Sequence, residues 1–113
     1  MAKADQLRPA ELPPVKVYTR LGDDERERTI AFKIPSGMDP MDLLERGATI
    51  DGNQAVLTVA LDYPAYQPNP EYTCPDLNNG QNYTGMSMTR VLGDCQRGLV
   101  KFFRERGYTV EFA

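Results

Sequence analysis

Apolar and polar residues alternate along "VKVYTRL", residues 15–21, with Val15, Val17, Thr19 and Leu21 on one side and Lys16, Tyr18 and Arg20 on the other. A period of two is the side-chain period of a strand, so the segment reads as a half-exposed strand. Beyond the acidic "GDDERE", Ile30, Phe32 and Ile34 alternate with Thr29, Ala31 and Lys33, and Pro35 closes the run. Two such runs in succession predict an antiparallel hairpin. "SGMDPMDLLERG" then carries helix punctuation: Asp39 to cap the free N–H groups, Pro40 for the first helical position and Gly47 for the stop. The helix between them is short, about two turns. "QAVLTVALDY" follows an Asp51-Gly52 turn signal, and its almost continuous, β-branched apolar content predicts an interior strand buried on both faces.

From Met88 onward the period changes. Met88, Val91, Leu92, Cys95, Leu99, Phe102 and Phe103 recur at helical spacing and define one apolar face of a long helix. Gly93 and Gly98 sit inside it at a cost near 1 kcal/mol each, which implies either a bend near Gly93 or close packing of a neighbouring backbone or partner chain at Gly98. "YTVEFA" closes the chain as a strand reached through Gly107, with Tyr108, Val110 and Phe112 alternating against Thr109 and Glu111. Between the interior strand and the long helix, residues 63–85 show no period and hold four tyrosines, four prolines, four asparagines and no Lys or Arg.

The element order is therefore β-β-α-β-loop-α-β. It predicts an α+β fold with a small mixed four-stranded sheet and two helices packed mainly on one face. Residues 1–14, with Pro9, Pro13 and Pro14, read as an extended N-terminal arm, and residues 15–113 as a single α+β domain with a long loop at 63–85. The hairpin, the "SGMDP" lead-in and the short helix resemble the start of a ubiquitin-like β-grasp fold over roughly the first half of the chain. The resemblance implies a β-grasp-like arrangement and carries no function; the tail lacks the Gly-Gly terminus of activatable members.

At 113 residues, 41% hydrophobic and 26% charged, the chain has the composition of one ordinary folded domain. A net charge of -3 argues against a protein devoted to duplex DNA. The distribution is uneven: residues 21–89 carry eleven acidic against four basic side chains, and residues 90–113 carry five basic against three acidic. With no apolar leader and no membrane-length apolar run, a soluble cytoplasmic protein without membrane attachment is expected. Cys74 and Cys95 are too few for a disulfide scaffold and read as free buried thiols.

No histidine and no tryptophan occur. Without an imidazole base, Ser-His-Asp and Cys-His catalysis within one chain are excluded, and two cysteines do not furnish a zinc or redox-metal ligand set. No cofactor or metal is expected, and the consecutive Asp23, Asp24 and Glu25 read as a solubilised hairpin tip rather than a calcium loop. Cys74 has no neighbouring cation to activate it. What remains for an enzyme is a carboxylate among Asp62, Glu71 and Asp76 working against a tyrosine. The expectation is a protein that is not an enzyme.

Two surfaces are candidates for binding. Tyr63, Tyr66, Tyr72 and Tyr83, with Asn69 and Asn79, give the 63–85 segment the composition of a recognition loop: rigid aromatic area, pre-ordered backbone and adaptable hydrogen bonds. The alternative is that the rings pin the loop onto its own domain. On the long helix, Arg90, Asp94, Arg97, Lys101 and Arg104 fall within about an 80° sector opposite the apolar centre, forming a basic ridge or a plain solvated face. The leading expectation is a protein–protein interaction module, such as a small inhibitor or accessory protein of a phage or mobile element, that binds a foreign protein or itself through the 63–85 loop. Single-stranded nucleic-acid binding is the alternative, with tyrosines stacking bases and Arg90, Arg97, Lys101 and Arg104 holding the backbone.

Overall fold

The computed structural model describes residues 13–21, 27–61 and 71–113. The arm up to residue 12, the acidic hairpin tip and the stretch holding Asp62, Tyr63, Tyr66 and Asn69 lie outside the described residues. Seven strands and two helices follow in the order β1 (Val15–Leu21), β2 (Arg28–Lys33), α1 (Pro40–Glu45), β3 (Thr49–Asp51), β4 (Gln54–Leu61), β5 (Tyr72–Pro75), β6 (Asn82–Gly85), α2 (Met88–Glu105) and β7 (Val110–Phe112).

The strands form one curled, mixed, seven-stranded sheet in the order β6-β5-β4-β2-β1-β7, with β3 also paired to β4. The four-stranded expectation is overturned by three short strands that carry no readable period. β3 forms a hairpin with β4 around Gly52, whose φ of 61° suits the turn, while β5 and β6 form a second hairpin inside the apparently aperiodic 63–85 segment. β4 shares one edge between two partners, β3 along Gln54–Val56 and β5 at Ala60 and Leu61. The β-grasp-like arrangement also fails, because β2 pairs with β4 and the helix that covers the sheet is α2 rather than α1. Every pairing is antiparallel except β1 with β7, since α2 carries the chain from the β6 edge back across the sheet.

β1 buries Val15 and Val17 as its pattern predicts, and β2 buries Ile30 and Phe32 but also Ala31, which the alternation places on the other face, because β2 lies between β1 and β4 inside the sheet. Leu21 departs from the pattern and is 61% exposed at the strand's end. β4 is interior but not buried on both faces: Ala55, Leu57 and Val59 are fully buried, whereas Gln54, Val56, Thr58 and Ala60 on the other face are half-buried. Helix α1 starts and stops where its punctuation predicts. The Asp39 carboxylate accepts from the Met41 N–H at 2.9 Å, Pro40 opens the helix and Gly47 follows at a φ of 101°. α2 is one continuous helix through both glycines, capped by Ser87, and it buries Val91, Cys95, Gly98, Leu99, Phe102 and Phe103. Phe103 stands edge-on to Phe32 at 5.0 Å, to Phe102 at 5.4 Å and to Tyr108 at 5.9 Å, so α2, the sheet and the approach to β7 meet in one aromatic cluster. Among the described residues no helix is long and apolar enough to cross a membrane.

Candidate functional site

α2 presents two flanks of opposite character. The first faces the β5–β6 hairpin. Its turn is held by Asp76, whose backbone N–H donates to Gln81 O at 2.7 Å and whose carboxylate accepts from the Asn78 N–H at 2.9 Å and the Asn78 side-chain amide at 3.2 Å. That amide also donates to the carbonyl of Gly98 at 2.8 Å, tying the turn to α2. From α1, Arg46 donates to the carbonyls of Leu77 and Asn78 and pairs with Asp42 at 3.0 Å. Tyr83 lays its ring on Gly98, where a Cβ would lie 3.0 Å from the ring's Cζ and closer still to the hydroxyl. A close approach at Gly98 is present, and it is made by the Tyr83 side chain of the same chain rather than by a backbone or a partner chain. The Tyr83 hydroxyl has its pKa pushed up to about 12, first by burial and then by the negative charge of Asp76. Asp76 is the buried acidic residue among those described, and Arg46, Asn78 and Tyr83 around it are half-buried.

This geometry places the loop candidates. Tyr72 and Tyr83 are half-buried and pack against the core, so the two described tyrosines pin the segment onto its own domain. Asn79 is exposed at the β5–β6 turn, where its side-chain oxygen accepts from the Gln81 N–H at 2.9 Å. Tyr63, Tyr66 and Asn69 lie outside the described residues.

The second flank faces away from the hairpin. Between α2 and β7 runs an open groove of about 550 Å³ lined by Gly93, Gln96, Arg97, Val100, Lys101, Arg104, Glu105 and Phe112. Three of the four ridge cations border it; Arg90, also exposed, lies outside it. Arg97 is paired with Asp94 one turn away, while Lys101 and Arg104 have no ion-pair partner among the described residues. Phe112, on the sheet's terminal strand, is 45% exposed and supplies an apolar surface beside the cations. Glu105 adds one acidic side chain to this lining, and neither Asp76 nor Tyr83 borders it.

Gly93, Gln96, Val100, Glu105 and Phe112 escaped the sequence reading as site residues. A signal for two of them was present: at about 100° per residue Gly93 and Val100 fall beside the cations, small and apolar interruptions of a charged face. Phe112 carried no such signal, because the alternation that places it on a strand does not say that the strand ends the sheet next to α2. No family model, curated protein or solved structure matches the chain.

Proposed function

We propose that the protein is a non-catalytic protein–protein interaction module, working in the cytoplasm, that receives an acidic segment of a partner protein in the groove between α2 and β7. The observation that carries this reading is the convergence of Arg97, Lys101 and Arg104 on the exposed ring of Phe112. Lys101 and Arg104, without an ion-pair partner among the described residues, and Arg97, paired with Asp94, are grouped beside apolar area on a protein of net charge -3, which favours an acidic contact by local charge complementarity. Inhibition or accessory action on that partner is the role such a small module would serve. Tyr72 and Tyr83 pack against the core, so among the described residues the reading rests on α2 and β7; Tyr63, Tyr66 and Asn69 lie outside the described residues.

Affinity capture from cells that make the protein, comparing wild type with a Lys101→Glu, Arg104→Glu variant, tests this. Wild type should retain a protein that the variant loses at least tenfold, with the unfolding free energy unchanged within about 0.5 kcal/mol. Equal recovery by both proteins would remove the groove as the contact. A second reading, single-stranded nucleic acid, draws on the same feature, because Phe112 interleaved with cations is a stacking arrangement. A gel shift with single-stranded DNA of about 16 nucleotides separates the two readings. Retardation that weakens steeply with salt would transfer the groove to nucleic acid.

A further inference from the structure

Cys74 on β5 and Cys95 on α2 face each other across the hairpin–helix contact, and both are fully buried. The Cys95 Sγ lies 3.6 Å from the carbonyl oxygen of Pro75, the residue that follows Cys74, and both cysteines belong to the same buried core cluster. The surrounding contacts hold this approach in place. Tyr83, directly across the β-ladder from Cys74, rests on Gly98, and Gly98 stands one helical turn beyond Cys95. Asn78 fastens the same turn of α2 through the Gly98 carbonyl. Two sulfur atoms brought together by a strand and a helix that are fixed at several points need little movement to bond.

We infer that Cys74 and Cys95 are a disulfide-forming pair that staples the β5–β6 hairpin to α2 when the glutathione pool becomes oxidising. The proposal is independent of the groove and its partner. One cysteine thiolate attacks oxidised glutathione, forming a mixed disulfide and expelling a first glutathione thiolate. The second cysteine, as thiolate, then attacks the protein sulfur of that mixed disulfide and expels the second glutathione. Two protein thiols lose two electrons in total, one glutathione disulfide is reduced to two thiols, and the protons end on glutathione. In the closed structure the neighbouring Cys74 thiol and then burial hold Cys95 protonated, which keeps the pair slow to react. Oxidation therefore proceeds through states in which the hairpin has lifted from α2, and the finished bond closes that route.

The test uses the wild-type chain incubated with oxidised glutathione under native conditions. The expected product is a monomer two hydrogens lighter, with a peptide map joining the Cys74 and Cys95 peptides. Its formation should be accelerated by denaturant concentrations below the unfolding transition. Its Tm should rise by on the order of 10 °C, and the rise should reverse with dithiothreitol. Cys74→Ala should show no such rise under the same treatment. Thiols that stay free in the native protein while reacting when it is unfolded would overturn the proposal. So would stable glutathione adducts, intermolecular dimers as the main product, or an intramolecular bond that lowers Tm.

Discussion

Gly98 and Gly93 lie on the same helix and cost it about the same propensity, yet their surroundings are opposite. At Gly98 the ring of Tyr83 fills the space a side chain would take, and the carbonyl is claimed by Asn78. At Gly93 the nearest group is the end of the flexible Arg97 side chain, 3.4 Å from where a Cβ would stand. The first flank buries the Asp76 carboxylate, half-buries the Tyr83 phenol and binds Asn78 to Asp76 and the Gly98 carbonyl; the second leaves cations in solvent around an exposed phenylalanine. Polar groups that are buried and satisfied specify the structure, because each leaves an unpaired neighbour when removed. Charges that are exposed and unpaired cost the fold little and stay available to a partner.

The contrast can be broken most strongly at Asp76. Replacing it with alanine removes the acceptor of two hydrogen bonds from Asn78 and leaves a half-buried amide and a backbone N–H without it. We expect a loss of about 2–3 kcal/mol in urea unfolding. A loss below 0.5 kcal/mol would mean that the hairpin side is no more demanding than the groove side.

The two glycines sharpen it next. Gly98→Ala should lose about 1–2 kcal/mol, because the overlap with Tyr83 outweighs the gain in helix propensity. Gly93→Ala should be neutral or gain up to about 1 kcal/mol, since Arg97 can swing aside. Equal effects of the same sign at the two positions would erase the distinction between the flanks.

The smallest effect is electrostatic. The folded state holds the Tyr83 proton more tightly than the unfolded chain does, so its contribution is complete below the ordinary tyrosine value of 10.0. It is lost as pH rises toward about 12. Unfolding free energy measured across this window should fall less steeply in Tyr83→Phe than in wild type. A phenolate absorbance titration should show one fewer late-titrating tyrosine in the variant. An unchanged slope and titration would place Tyr83 in ordinary solvent.

Much of the fold was legible where one element supplies its own signal. The Asp39-Pro40 start and Gly47 stop of α1 and the apolar stripe of α2 reflect local hydrogen bonding or local periodicity and match the sequence, as does the alternation of β1 and β2 apart from exposed Leu21 and buried Ala31. The strands that were missed share a cause. β5 and β6 have four residues each and include Pro75 and Gly85, too little for a period of two to stand out from turn formers. They are strands because β4 offers an edge at Ala60 and Leu61 and α2 covers their inner face. The basic ridge was legible as a stripe, whereas the groove was not, because its other wall comes from β7.

The order of apolar and polar residues by itself determined which segments become the long helix and the longer strands, which side of each is apolar, and that no imidazole is present for catalysis. Tertiary structure alone decided that Tyr72 and Tyr83 pack against the core, that Gly98 is a seat for Tyr83, that Cys74 and Cys95 share one core cluster, and that Phe112 lines a groove with Arg97, Lys101 and Arg104. The physical reason is the range of the interactions. Periodicity and capping are settled within a few neighbouring residues, whereas the packing of a phenol and of two thiols and the walls of a groove depend on groups far apart in sequence. Only the packing of α2 across the curled sheet brings them together.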